Sequence, residues 1–221
     1  MRRRLVTTLI PLALLLGAPP AHAVVGGQAA SRDYPYMAGM LFDGELRCGA
    51  SLISPDQVLT AAHCVTADGG GTLDPGRLSF VLGRRQLQGA GGETIPGAAI
   101  TVHEGFDDEM RNDVAIVRLA RRTALRHIRL ADPARQRDLW AAGRQAIVTG
   151  WGANASLVLV TSGGTNDLQE VTVPMRSDAE CRDNSPYVVD TTVMVCAGER
   201  QGGVVEHNAS GGSGRPENGR V

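Results

Sequence analysis

Three short segments carry side chains that could do chemistry together. Leu59-Thr60-Ala61-Ala62-His63-Cys64 puts an imidazole at the end of an apolar run. Asn112-Asp113 puts a carboxylate at the head of another, Val114-Ala115-Ile116-Val117-Arg118-Leu119. Ser210-Gly211-Gly212 puts a hydroxyl in a Gly-rich stretch. A serine hydroxyl is a poor nucleophile until a base takes its proton, and an imidazole that titrates near neutrality can accept that proton and later return it. A buried carboxylate can hold the ring in the required tautomer and stabilise the imidazolium. Taken singly, each residue has a plainer reading: a His beside a Cys at a strand end is usually structural, and an Asp before an apolar strand is usually a turn residue. His103, His127 and His207 lie in no comparable motif and are expected at the surface.

The elements that must hold such groups are short strands. Candidates are 36–42, 50–54, 57–61, 78–82, 98–103, 114–119, 146–150, 168–174 and a last one near 193–197. They are rich in Val, Ile, Leu and Thr and bounded by Gly, Pro, Asp and Asn. Without alternation of strand and helix, this pattern points to an all-β antiparallel barrel or sandwich. Ser177-Asp178-Ala179-Glu180 has the form of a capping box and predicts one short helix. Residues 120–145, Arg-rich and interrupted by Pro133, can link two halves; residues 153–167 read as an exposed loop, and residues from Gly202 onward as tail rather than core.

The 221 residues, 43% hydrophobic, suffice for one large domain or two small ones. A formal net charge of −1 offers no bulk attraction for nucleic acid. Arg2-Arg3-Arg4, the apolar run from Leu5 to Gly17 and Ala21-His22-Ala23 form a secretory signal peptide over 1–23. Its apolar stretch is too short to span a bilayer, so no membrane association is expected once it is removed, and His22 leaves with it. Cys48, Cys64, Cys181 and Cys196 remain; an even number in an exported chain reads as two disulfides, with the pairing left open. No C-x-x-C spacing suggests a metal, and no phosphate loop suggests a cofactor.

Together these segments resemble the trypsin-like serine protease family. The likeness rests on Leu59–Cys64, on Asn112–Leu119, on Val24-Val25-Gly26-Gly27 as a mature N-terminus, on Gly150-Trp151-Gly152 and on Cys196-Ala197-Gly198. The chain order His, Asp, Ser is that of this family rather than of the subtilisin or α/β-hydrolase types. The resemblance implies two six-stranded antiparallel Greek-key barrels. It places the first over about 24–120, a linker over 121–145 and a partial second barrel over 146–203, within a protease domain of 24–203 followed by a divergent tail of 204–221. It implies His63 as base, Asp113 as its orienting carboxylate and Ser210 as nucleophile, with the backbone N–H groups of Asn208 and Ser210 as oxyanion hole. It pairs Cys48 with Cys64 and Cys181 with Cys196. Its activity would be secreted endopeptidase action through an acyl-enzyme, by a monomer needing no cofactor, on polypeptides, with protein inhibitors as further partners.

The sequence departs from the family pattern around the nucleophile. Glu206-His207-Asn208-Ala209-Ser210-Gly211-Gly212-Ser213 stands where the family has Cys-x-Gly-Asp-Ser-Gly-Gly-Pro. Ala209 offers no carboxylate to a buried Val24 ammonium, and Asn208 replaces the oxyanion-hole Gly. Val204, six residues before Ser210, replaces the Asp that selects Arg or Lys. The short run after Ser210 predicts an incomplete second barrel with open strand edges. Two alternatives to the protease follow: an inactive homologue that binds proteins, or a truncated gene product. The sequons at Asn154 and Asn208 matter only in a host that glycosylates exported chains.

Overall fold

The computed structural model describes residues 27–67, 69–132, 137–151, 166–184, 189–198, 200–201 and 204–205. The signal peptide expected at 1–23, Val24, most of the loop expected at 153–167, Asn208 and Ser210 lie outside the described residues. In chain order the strands are β1 (Gln28–Ala29), β2 (Met37–Phe42), β3 (Glu45–Ser54), β4 (Gln57–Thr60), β5 (Leu78–Leu82), β6 (Glu93–Val102), β7 (Ala115–Leu119), β8 (Gln145–Gly150), β9 (Gln169–Arg176), β10 (Cys196–Ala197), β11 (Arg200–Gln201) and β12 (Val204–Val205). Two short helices, α1 (Ala62–Val65) and α2 (Asp178–Asn184), and two single 3-10 turns complete the list among the described residues.

Strands β2 to β7 close an antiparallel barrel in the order β2-β3-β4-β7-β6-β5, with β2 pairing β5 to seal it. Alternation of side chains fills the inside. In β7, Ala115, Val117 and Leu119 are buried while Arg118 is exposed, as a period of two requires. Phe80, Leu52, Val58, Ile95 and Met40 complete a core from which water is excluded. Register shifts at Met40/Leu41, Leu52/Ser54 and Gly97/Ala99 bend the strands around the closure. Gly97 is required there: a Cβ on it would sit 2.7 Å from the Pro75 carbonyl oxygen.

The second unit is an antiparallel sheet around β9, which pairs β8 on one side and β1 and β10 on the other. The architecture is therefore all-β, with one closed six-stranded barrel and a second sheet, as in a trypsin-like double barrel. Strands β3 and β6 begin earlier than their apolar runs suggest, because Glu45 and Leu46 pair with Phe42 and Leu41, and Glu93 and Thr94 with Leu82 and Val81. At the start of the expected tail, Val204–Val205 pairs antiparallel with Arg200–Gln201. Two adjacent Val favour a strand even in a Gly-rich setting. The capping box forms: the Ser177 hydroxyl donates to Glu180 Oε2 at 3.0 Å, and the Glu180 N–H donates to Ser177 Oγ at 3.3 Å. No helix among the described residues is long and apolar enough to cross a membrane.

A seam joins the two units. Trp151 is fully buried with Ala30, Tyr34, Met37 and Leu168, and its indole N–H donates to the Arg85 carbonyl at 2.9 Å. The N-terminal segment crosses the seam to pair Gln28 with Glu170. There the Tyr34 hydroxyl donates to Glu170 Oε2 at 2.5 Å. That bond, with further hydrogen bonds from Ser31, holds the Glu170 carboxyl below the usual glutamate range.

Two outcomes are expected. Phe80→Ala should destabilise the folded chain by about 3–5 kcal/mol, read as a fall in denaturation midpoint. Because the Glu170 pKa is lowered by folding, its stabilisation is present above the unfolded glutamate pKa and is lost as pH falls through the folded value. Wild type should therefore be more stable than Glu170→Gln at neutral pH, with the gap narrowing below about pH 4 in thermal melts.

Candidate active site

Strand pairing brings the imidazole and the carboxylate together. Thr60, the last residue of β4, is opposite Ala115, the first of β7. His63 follows Thr60 by one tight turn into α1, and Asp113 precedes Ala115 by two residues. The Thr60 hydroxyl donates to the Gly49 carbonyl at 2.8 Å and fixes the end of β4. On the other side the 103–114 loop is clasped at its base. The Asn112 amide donates to the Gly105 carbonyl at 3.0 Å, and the Gly105 N–H donates to His103 Nδ1 at 3.0 Å. Asn112 takes φ of 53°, a left-handed conformation that Asn adopts more readily than most residues, and this turn aims Asp113.

Asp113 contacts His63 twice. Its Oδ1 accepts the His63 backbone N–H at 2.9 Å, and its Oδ2 lies 2.7 Å from Nδ1 of the ring. The carboxylate side chain is 7% exposed and the imidazole 25% exposed. An ionised Asp113 accepts a proton-bearing Nδ1, which leaves the lone pair on Nε2 free to act as base. Nε2 is on the side of the Cys48–Cys64 bridge, 3.4 Å from Cys64 Sγ. The anchoring of both oxygens by one residue is what a positioned base needs: the ring cannot rotate without losing the Nδ1 contact.

Both expected disulfides form, Cys48–Cys64 with Cα atoms 6.2 Å apart and Cys181–Cys196 with Cα atoms 5.9 Å apart. The first ties α1 to β3 directly beside His63. The second ties α2 to β10. Cys48, His63 and Cys64 are the one cluster of potential metal ligands among the described residues, and the two sulfurs are engaged in the bridge. His103 and His127 are exposed, as expected. Sequence reasoning did not single out Arg47, whose Nε–H donates to the Cys64 carbonyl at 2.7 Å. Nor did it single out Tyr34 and Glu170. No motif marks them; they meet only because the chain folds.

With this geometry in view, comparison with known proteins is informative. The sequence model of the trypsin family matches residues 23–218. Trypsin-1 of Astacus astacus is 35% identical over 175 residues, covering 76% of this chain and 69% of that protein. Brachyurin of Leptuca pugilator is 32% identical over 199 residues, covering 88% and 81%. A trypsin of Saccharopolyspora erythraea is 30% identical over 200 residues, covering 87% and 80%. The chain belongs to the trypsin family, and is by family a serine endopeptidase, a hydrolase.

Removing the bridge beside the site tests its structural part. Cys48→Ser with Cys64→Ser should cost about 2–4 kcal/mol in urea unfolding, near the value for closing a loop of this length. Cys181→Ser with Cys196→Ser should cost a similar amount.

Proposed function

We propose that this chain is an exported serine endopeptidase whose catalytic base is His63, oriented by Asp113, and whose nucleophile is Ser210. The single observation that carries this reading is the double contact of Asp113 with His63, at 2.7 Å to Nδ1 and 2.9 Å from the backbone N–H. In the proposed cycle Nε2 takes the Ser210 hydroxyl proton as Oγ attacks the scissile carbonyl. The backbone N–H groups of Asn208 and Ser210 stabilise the oxyanion, and Nε2 passes the proton to the departing amine. Water then repeats the sequence on the acyl-enzyme. Ser210 is taken as nucleophile because Ser210-Gly211-Gly212 is the best match to the family's Ser-Gly-Gly, and the family match runs through residue 218. Substrates are polypeptides, protein inhibitors are the other class of partner, and the working form is a monomer without cofactor.

Export rests on the basic and apolar start of the chain and its Ala21-His22-Ala23 cleavage site, which together make 1–23 a signal peptide and Val24 the mature N-terminus. Two disulfides fit an oxidising compartment. The protease domain spans 24–203 in this reading, with 204–221 as a divergent tail.

One feature favours a second reading, that of an inactive homologue binding proteins through the same scaffold. Ala209 stands where a carboxylate would receive the Val24 ammonium, and a buried ammonium left without its partner costs about 3–5 kcal/mol. A fluorophosphonate probe separates the two. The endopeptidase labels covalently, labelling disappears in Ser210→Ala, and it falls by about three orders of magnitude in rate in His63→Ala. A folded, monomeric wild type that takes no label would establish the binding protein instead.

A further inference from the structure

The leaving half of a substrate can be traced from the geometry of His63. The proton returned to the departing amine must come from Nε2, because Nδ1 is held by Asp113 at 2.7 Å. Nε2 lies 3.4 Å from Cys64 Sγ, which puts the Cys48–Cys64 bridge beside the nitrogen that protonates the departing amine. Arg47 adjoins that bridge. It is exposed and precedes Cys48, and its Nε–H donates to the Cys64 carbonyl at 2.7 Å. Its guanidinium carbon lies 5.7 Å from the centre of the Phe42 ring. A second guanidinium, that of Arg77, lies 4.2 Å from the same ring, but Arg77 is ion-paired with Asp43. Among the described residues Arg47 has no carboxylate partner; Glu45, two residues earlier in β3, forms no ion pair with it.

We propose that Arg47 is a specificity-determining residue that selects an acidic side chain among the first few residues on the leaving side of the scissile bond. This rests on the endopeptidase reading above. With Nε committed to the Cys64 carbonyl, the two Nη groups remain for a ligand, apart from a long 3.5 Å contact of Nη2 with the Thr66 carbonyl. A planar fork of this kind matches a carboxylate through two parallel hydrogen bonds. Anchoring at Nε and stacking on Phe42 fix the fork before binding, so little further side-chain freedom is lost. The site is open to water and screened by salt, so the selection is a preference of about three- to fivefold at low ionic strength, not an absolute requirement.

The test uses the full-length mature chain on a mixture of peptides from an unfolded proteome, with every cleavage site read by mass spectrometry at low and at high salt. In parallel, peptides with a free amino terminus and Asp, Gln or Lys at their first three positions mimic the leaving fragment. They carry a fluorophore at the far end, and their binding is followed by anisotropy. Expected are enrichment of Asp and Glu just after the cut, tighter binding of the Asp peptide, and loss of both differences at high salt and in Arg47→Gln. Arg47→Glu should invert the preference towards Lys and Arg, a result that a purely structural role would not give. Cleavage without acidic enrichment, or with the same enrichment in Arg47→Gln, overturns the assignment and leaves the endopeptidase standing. Absence of cleavage together with Arg47-dependent, salt-sensitive binding of the Asp peptide sinks the endopeptidase and keeps Arg47 as a carboxylate-binding residue. Absence of both rejects both.

Discussion

The antiparallel pairing of β4 with β7 is the constraint on which the rest of the molecule depends. An imidazole and a carboxylate 50 residues apart in the chain meet because Thr60 is opposite Ala115 and each functional residue lies just beyond its strand end. Register is what matters here. A slip of one residue would turn the alternating side chains of β7 inside out and carry Asp113 away from the ring. The closed barrel prevents that slip, since β4 and β7 are each held on their other edge, by β3 and β6. The core that fills the barrel therefore also serves as the positioning device for the site.

Local chemistry refines what the barrel begins. Four residues of helix hardly stand alone, because nucleating a helix is costly. Helix α1 is instead held from outside: by the Cys48–Cys64 bridge, by the Asp113 contact with the His63 N–H, and by Arg47 on the Cys64 carbonyl. Across the seam, Trp151 packs on Tyr34 and Leu168 while Tyr34 donates to Glu170. The first described segment, which includes β1 and Tyr34, is thus bound to the second sheet as well as to the barrel. The hydrogen bonds from Tyr34 and Ser31 outweigh the burial of Glu170 and favour its ionised form. Burial and polarity are coupled at this seam.

Charge is unevenly arranged around the site. Asp43, Glu93 and Asp107 are engaged by Arg77, Arg121 and Arg111 respectively. Among the described residues Arg47 has no carboxylate partner, and it adjoins the disulfide that lies beside His63 Nε2. Basic residues of this chain are all Arg, whose planar guanidinium can hold a backbone carbonyl, an aromatic face and a carboxylate at once. The same residue type serves structure at Arg77 and Arg85 and is free for recognition at Arg47.

Much of this was legible in the residues themselves. Apolar runs over 78–82 and 114–119, the capping box at Ser177–Glu180 and the motifs around His63 and Asp113 mark local structure and residue type, which sequence encodes directly. Strand limits at β3 and β6 were less legible, because ladder hydrogen bonds extend strands into polar residues that hydrophobic patterning ignores. The disulfide pairing could be taken from family likeness but not from spacing. Sequence by itself determined which groups could act and which runs could be strands, since both depend on near neighbours. Only the tertiary structure decided that Asp113 grips His63, that Tyr34 meets Glu170 and that Arg47 is left without a counter-ion. These are distances between residues far apart in the chain, set by closure of a barrel and packing of its seam.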